Sequence, residues 1–268
     1  MFVVLLNVIN IQNSMGNIAK RHTYILELLK ADGYVKVQEL SEALGVSEVT
    51  IRKDLKQLES KKLLYRNHGS ASSLSSIIED KHFDEKEKVY QKEKSDIAKA
   101  ATELLEPNDK IIVASGTTLL AFAKEIHTRE PITVITPSVK VSLELCYNPN
   151  IEIIQLGGTL RKNSVSVIGH YATNILSDVS CNKLFIGVDG LDLDYGLTTS
   201  DMNEARINQV MIEASQKVIV LTDSSKFGKR GFCKICDFNK IHHIITDAGA
   251  PSHVIEMIRD KGIEVTIV

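Results

Sequence analysis

Several short polar stretches of this 268-residue sequence hold residue types suited to gripping an anion and a row of hydroxyl groups. Ser115-Gly116-Thr117-Thr118 follows an apolar run and precedes a helical pattern. Glycine there allows close backbone approach, and the hydroxyls and free N–H groups of a helix start favour a phosphate. Thr136-Pro137-Ser138, Gly157-Gly158-Thr159-Leu160-Arg161, Asp189-Gly190-Leu191-Asp192, Asp223-Ser224-Ser225-Lys226 and Thr246-Asp247 each follow another such run. Lys226 beside the Gly-Thr-Thr turn would hold a phosphate, with Arg161 as a further positive donor. Asp189 and Asp192 would accept hydrogen bonds from ligand hydroxyls. Glu204 lies near the start of a predicted helix, where a carboxylate complements the dipole.

A second set lies near the N-terminus. Ser47-Glu48-Val49-Thr50-Ile51-Arg52-Lys53-Asp54-Leu55 starts a helical pattern with Ser47 as its cap. Arginine reads guanine through two hydrogen bonds. Lys56, Lys61, Lys62 and Arg66 suit phosphates, which position a protein without reading sequence. The net charge of the whole chain is -2, so no global basic field points to nucleic acid. Residues 15–70 nevertheless carry ten basic side chains against seven acidic ones, and the remainder is net acidic.

The elements that must position these groups follow from apolar spacing. Ile25, Leu28 and Leu29 predict a helix over 18–30, stopped at Asp32-Gly33. A short helix over 37–44 follows, then the Gly45-Val46-Ser47 turn. The third helix is expected to bury Val49, Ile51, Leu55 and Leu58, leaving Thr50, Arg52 and Lys53 outward. Leu63 to Gly69 reads as a small hairpin, or wing. Three helices with a glycine-containing turn between the second and third form a helix-turn-helix pattern. Serine-rich and then charged residues at 71–92 read as a linker. From residue 93, Val/Ile-rich runs at 111–114, 132–135, 151–156, 184–188, 218–221, 244–246 and 263–268 alternate with helical stretches. That alternation implies an α/β domain over 93–268 with a mostly parallel sheet, whose ligands bind at the carboxyl ends of the strands.

The stretch from Leu40 through Gly45-Val46-Ser47, Thr50-Ile51-Arg52-Lys53-Asp54-Leu55, Leu58-Glu59 and on to Arg66-x-His68-Gly69 resembles the N-terminal signature of the DeoR family of repressors. Lys53 stands where that family usually has a second Arg, and Ser70 where it usually has a second Gly. The resemblance runs through nearly the whole chain from about Lys20. It implies a winged helix-turn-helix over 15–70 that binds double-stranded operator DNA through Ser47, Thr50, Arg52, Lys53, Lys56, Arg66 and His68. It also implies a sensor of a phosphorylated sugar, working as a homo-oligomer whose recognition helices meet paired half-sites. Ser115, Gly116, Thr117, Thr118, Thr136, Ser138, Gly157, Gly158, Arg161, Asp189, Asp192, Glu204 and Lys226 are the expected effector contacts. Gly187–Arg206 looks most like members that regulate amino-sugar or hexitol use. The family's sensor domain resembles ribose-5-phosphate isomerase in fold. In the isomerases, Asp-Gly-x-Asp leads to a Lys-Gly-rich segment and a Glu base. Here Glu204 matches the base but the lysine is missing, and turnover needs the complete constellation. A sensor without catalysis or cofactor is expected.

Cys146, Cys181, Cys233 and Cys236 are too few for a disulfide framework and suit reduced thiols in the cytoplasm. Cys233-Lys-Ile-Cys236 lacks the second pair that a structural zinc site needs, so no metal is expected. Met1 to Ile11 is apolar but too short to span a bilayer, and it lacks a charged region ahead of it. Met15 is expected as the natural start, with no membrane role for residues 1–14.

Overall fold

The computed structural model describes residues 17–32, 34–61, 63–67, 69–73 and 80–268. The apolar N-terminal stretch, the Met15 start, Lys62 and His68 lie outside them. The chain divides into two units, Met1–Ile77 and Ile78–Val268.

In the first unit, α1 (Ile18–Asp32), α2 (Val37–Leu44) and α3 (Glu48–Ser60) enclose one apolar cluster. Ile25 and Leu29 of α1 meet Leu40 and Leu44 of α2 and Ile51, Leu55 and Leu58 of α3, all at most 2% exposed. Each such side chain contributes roughly 1.5–3 kcal/mol when buried. Gly45 adopts the left-handed conformation that ends α2, and the Ser47 hydroxyl accepts the Thr50 N–H to start α3. The wing consists of β2 (Leu64–Asn67) and β3 (Ser70–Ser73), antiparallel, with β1 (Tyr34–Lys36) added on the far side of β3. That third strand has no periodic signature at three residues long.

Inside this unit lies an ion pair. Arg21 donates to Asp54 through Nε (2.7 Å) and Nη2 (3.1 Å), with His22 Nε2 3.5 Å from the same carboxylate. Asp54 belongs to the buried face of α3.

Strands β4 (Lys110–Val113), β5 (Ile132–Thr136), β6 (Ile151–Gln155), β9 (Cys181–Ile186), β12 (Ser215–Leu221), β14 (His243–Thr246) and β15 (Glu264–Ile267) build the second unit's main sheet. Its order is β15-β14-β12-β9-β4-β5-β6 and every pairing is parallel. One face packs under α5 (Gln91–Thr102), α6 (Thr117–Glu125) and α7 (Val139–Leu145); the other packs under α8 (His170–Ser177), α9 (Met202–Glu213) and α10 (Ser252–Arg259). Two antiparallel additions sit beside it: the β7 (Thr159–Arg161)–β8 (Ser166–Ile168) hairpin, and a sheet of β10 (Gly190–Asp192), β11 (Gly196–Thr199) and β13 (Cys233–Cys236).

The chain starts this sheet at β4, builds outward to β6, then returns to place β9 on the opposite side of β4. The reversal opens a crevice at the carboxyl ends of β4 and β9, the place such sheets offer to a ligand.

The stretch expected as a linker is divided. Ala71–Ser73 completes β3, whereas α4 (Phe83–Glu87) and the start of α5 belong to the α/β unit. Phe83 is buried there, so the charged sequence around it is a packed segment with one apolar anchor.

Candidate functional site

Helix α3 presents an outer face of Val49, Arg52, Lys53 and Lys56, all exposed. Val49 was expected in the core, yet it is 58% exposed. At 3.6 residues per turn it lies nearly opposite Ile51, Asp54, Leu55 and Leu58. Its isopropyl group therefore belongs to the outer face, where apolar side chains read thymine methyls. Arg52 Nη2 lies 2.6 Å from Glu48 Oε2, one turn back, and Arg66 Nε lies 2.7 Å from Glu59 Oε2 beside the wing. Both pairs are solvent-exposed, and such pairs hold their arginines by only ~0.2–1 kcal/mol. Thr50 is half-buried, its hydroxyl 3.0 Å from that of Ser47.

At the crevice, Gly116 sits at φ +132°, a conformation open to glycine, and no side chain caps α6 behind it. The first amides of such a helix lack intrahelical partners. Gly187, just past β9, lets α6 come close: a Cβ there would stand 2.9 Å from Leu119 Cδ2. Lysines gather near the loop at 223–226 that follows β12. Lys94 of α5 is buried, and its Nζ donates to the carbonyls of Lys86 and of Val89 (2.7 Å). Burial, with Lys226 and Lys86 adding repulsion against the attraction of Asp223, pushes its ammonium down to about 8. Burial and the Lys226 charge lower Lys229 too. Crowded ammonium groups that lose protons this readily favour an anion among them.

The acidic side of the cluster is organised differently. Asp189 accepts from Lys86 Nζ (2.8 Å), the Thr199 hydroxyl (3.1 Å) and both the N–H and hydroxyl of Ser200 (3.1 Å each). Burial would raise its pKa, but Lys86, Lys226 and the Ser200 amide outweigh burial and hold it below the usual carboxylate range. Glu204 accepts from Thr199 Oγ1 and Arg161 Nη1, each at 3.3 Å. Burial and the nearby Asp189 charge push its pKa up despite Ser164 and Arg161.

The expected effector residues separate into two groups. Ser115, Gly116, Thr117, Thr118, Asp189, Glu204 and Lys226 lie at or next to the crevice ends of β4, β9, β11 and β12. Thr136 and Ser138 are buried, and their hydroxyl oxygens serve local backbone amides. Thr136 Oγ1 accepts the Ser138 N–H (3.0 Å), and Ser138 Oγ accepts the Val141 N–H to cap α7. Asp192 is buried and closes the β10–β11 turn, accepting the N–H groups of Asp194 and Tyr195 and pairing with Arg230. Arg161 is already surrounded by Asp80, Asp201 and Glu204. Gly157 and Gly158 form the exposed approach to β7.

Sequence reading missed Lys86, Lys94, Lys229, Asp80 and Val49. One signal existed for Lys94: it shares the stripe of Ile97, Ala98 and Ala101, all buried. A lysine on an apolar stripe needs buried partners or a ligand. Among the described residues, no group of three or more His, Cys, Asp or Glu is placed to hold a metal. Among them, too, no helix is long and apolar enough to cross a membrane.

A winged helix-turn-helix joined to a parallel α/β unit defines a two-domain, DNA-binding transcription regulator. The chain belongs to the DeoR family: residues 21–77 match the DeoR-like helix-turn-helix domain and residues 90–248 the DeoR C-terminal sensor domain. It is 35% identical to the protein assigned as aga operon transcriptional repressor in Escherichia coli O157:H7, over 93% of this chain and 94% of that one. It is 36% identical to the HTH-type transcriptional regulator YulB of Bacillus subtilis, covering 94% and 97%. The glycerol-3-phosphate regulon repressor of Escherichia coli K12 is 30% identical, covering 92% and 98%. Ribose 5-phosphate isomerase A of Neisseria gonorrhoeae aligns over 51% of this chain and 53% of its own at 18% identity and a TM-score of 0.38, too distant a likeness to carry an argument about activity.

Proposed function

We propose that this regulator represses a sugar-utilisation operon, binding double-stranded operator DNA as a homo-oligomer, and that a phosphorylated sugar entering the crevice releases it. The observation that carries this reading is the lysine cluster: buried Lys94, with Lys226 and Lys229, gathered around the loop that follows β12. A phosphate there gains charge-assisted hydrogen bonds, while Asp189 and Glu204 receive sugar hydroxyls. One named relative is the repressor of a glycerol-3-phosphate regulon and another is assigned as an aga operon repressor, so a phosphorylated polyol is in keeping with the site. An amino-sugar or hexitol phosphate is the narrower class. Ser47, Thr50, Arg52, Lys53, Lys56, Arg66 and His68 contact DNA in this reading. Catalysis is not part of it. Glu204 faces Arg161 and Thr199, and the lysine that the isomerases carry ahead of their base is missing from residues 196–204.

The release is a linkage: a ligand that prefers one conformation of the sensor shifts the population away from the DNA-competent one. Fluorescence anisotropy on DNA from the protein's own promoter, at fixed salt, tests it. Saturable binding should be weakened about 5–150-fold by one member of a sugar-phosphate panel. Operator binding unmoved by every member would remove the effector assignment.

The cluster also sets a pH dependence. Lys94 is held near 8, so its positive charge is lost as pH rises through that value. Sugar-phosphate affinity should then be highest between about pH 6, where the phosphate takes its second charge, and pH 8, and fall above it. Lys94→Met should flatten the upper limb in a calorimetric titration across pH 6–9.5. An upper limb that persists in the variant would assign it to another group.

A further inference from the structure

The segment just after the boundary between the two units is fastened to the candidate effector site by its own charged side chains. Asp80 accepts hydrogen bonds from Arg161 Nη2, from Asn163 Nδ2 (2.7 Å) and from the Ser200 hydroxyl (3.2 Å). Three residues on, the Phe83 N–H donates to the Asn163 carbonyl at 2.8 Å. Three further on, Lys86 pairs with Asp189. Asp84, between them, points elsewhere, to Lys140 on α7 (3.2 Å).

These contacts are mutually incompatible with full satisfaction. Ser200 Oγ has one proton, yet two carboxylates claim it, Asp80 at 3.2 Å and Asp189 at 3.1 Å. Arg161 is one cation facing Asp80, Asp201 and Glu204. Of those three carboxylates Asp80 is the most exposed, at 34% against 28% and 12%, so its return to water costs least.

We propose that Asp80 is an internal competitor of the effector: its carboxylate occupies Arg161, Asn163 and Ser200 until ligand hydroxyls take those donors, and its displacement frees residues 80–88. The inference rests on the effector reading of the crevice and adds the step by which occupancy reaches the chain leading to the DNA-reading unit. Arg161 thus acts as the transducing residue, exchanging a protein carboxylate for ligand oxygens, and Lys86 follows when Asp189 turns to the ligand.

The test uses the full chain and two variants of the same segment. Asp80→Ala removes the competitor, and Asp84→Ala removes a neighbouring carboxylate that makes no contact with Arg161 or Ser200. Hydrogen–deuterium exchange follows the 80–88 amides, and calorimetry measures affinity for glucosamine 6-phosphate, glucitol 6-phosphate and the rest of a sugar-phosphate panel. Asp80→Ala should speed exchange at 80–88 and tighten sugar-phosphate binding about tenfold, within the usual range of allosteric coupling. Asp84→Ala should leave the affinity unchanged. Equal or weaker binding by Asp80→Ala, or tightening of the same size in Asp84→Ala, overturns the competition while the effector reading stands. No binding by wild type or variant overturns both.

Discussion

Asp54→Ala should unfold the DNA-reading unit while the α/β unit stays folded. The Asp54 side chain is 2% exposed and the Arg21 side chain 10%, and their two hydrogen bonds join α1 to α3 inside the apolar cluster. Deleting the carboxylate leaves a guanidinium in a nearly dry site, with His22 beside it having lost the same neighbour. Breaking one half of a buried pair costs about 3–5 kcal/mol. A unit of fewer than eighty residues has only ~5 kcal/mol to lose. Calorimetry on the variant should therefore lack the transition of the first unit, with helical circular dichroism reduced in proportion, while sugar-phosphate binding persists. Two unshifted transitions would mean that water reaches Arg21 and replaces Asp54. Truncating Leu55 would also destabilise this unit, but there the neighbours can relax into the cavity, whereas the guanidinium keeps its charge after Asp54 is gone.

Arg52→Ala should cost roughly 1–3 kcal/mol of operator affinity, about 5–150-fold, and leave binding to random DNA almost unchanged. Arg52 lies on the exposed face of α3 in the first two turns, the part of a recognition helix that reaches base edges. Its side chain makes an exposed pair with Glu48 one turn back, which is weak enough to exchange for a guanine. Lys56→Ala is the contrasting case. A lysine on a phosphate should weaken specific and random DNA alike and lower the slope of log affinity against log salt by about one. Anisotropy titrations of both variants on operator and random duplexes, over a range of salt, separate the two. Equal losses on both duplexes for Arg52→Ala would make it a phosphate contact and shift base reading towards Val49, Thr50 and Lys53.

Much of this architecture was legible beforehand, because local rules generate it. Ser47, Gly45 and the spacing of Ile51, Leu55 and Leu58 are enough to place α3. The Val/Ile runs mark the strands of the parallel sheet, since strands buried on both faces read as continuous apolar runs. The elements that escaped notice are short. β1 has three residues, as do β7, β8 and β10, and neither periodicity nor turn chemistry separates such pieces from loops. Val49 was misplaced for a different reason: an apolar residue in a helix was counted with its apolar neighbours, although its angular position puts it among Arg52, Lys53 and Lys56.

The candidate sites divide along the same line. The amino-acid sequence by itself determined that polar clusters follow the strands, that Ser47 to Leu55 forms a DNA-reading helix of the DeoR type, and that the two functions occupy separate stretches. Composition, periodicity and motif spacing are properties of neighbouring residues, so they can be read along a line. Only the tertiary structure decided which of those polar side chains remain available to a ligand. Thr136, Ser138 and Asp192 have residue types as suitable as Ser115 and Thr117, but neighbouring amides or an arginine already claim them. Lys86 and Asp80 read as part of a solvated charged stretch until the fold brought them to Asp189 and Arg161. A buried polar group must find a partner somewhere in three dimensions, and that requirement, which has no period along the chain, selects the residues left over for a ligand.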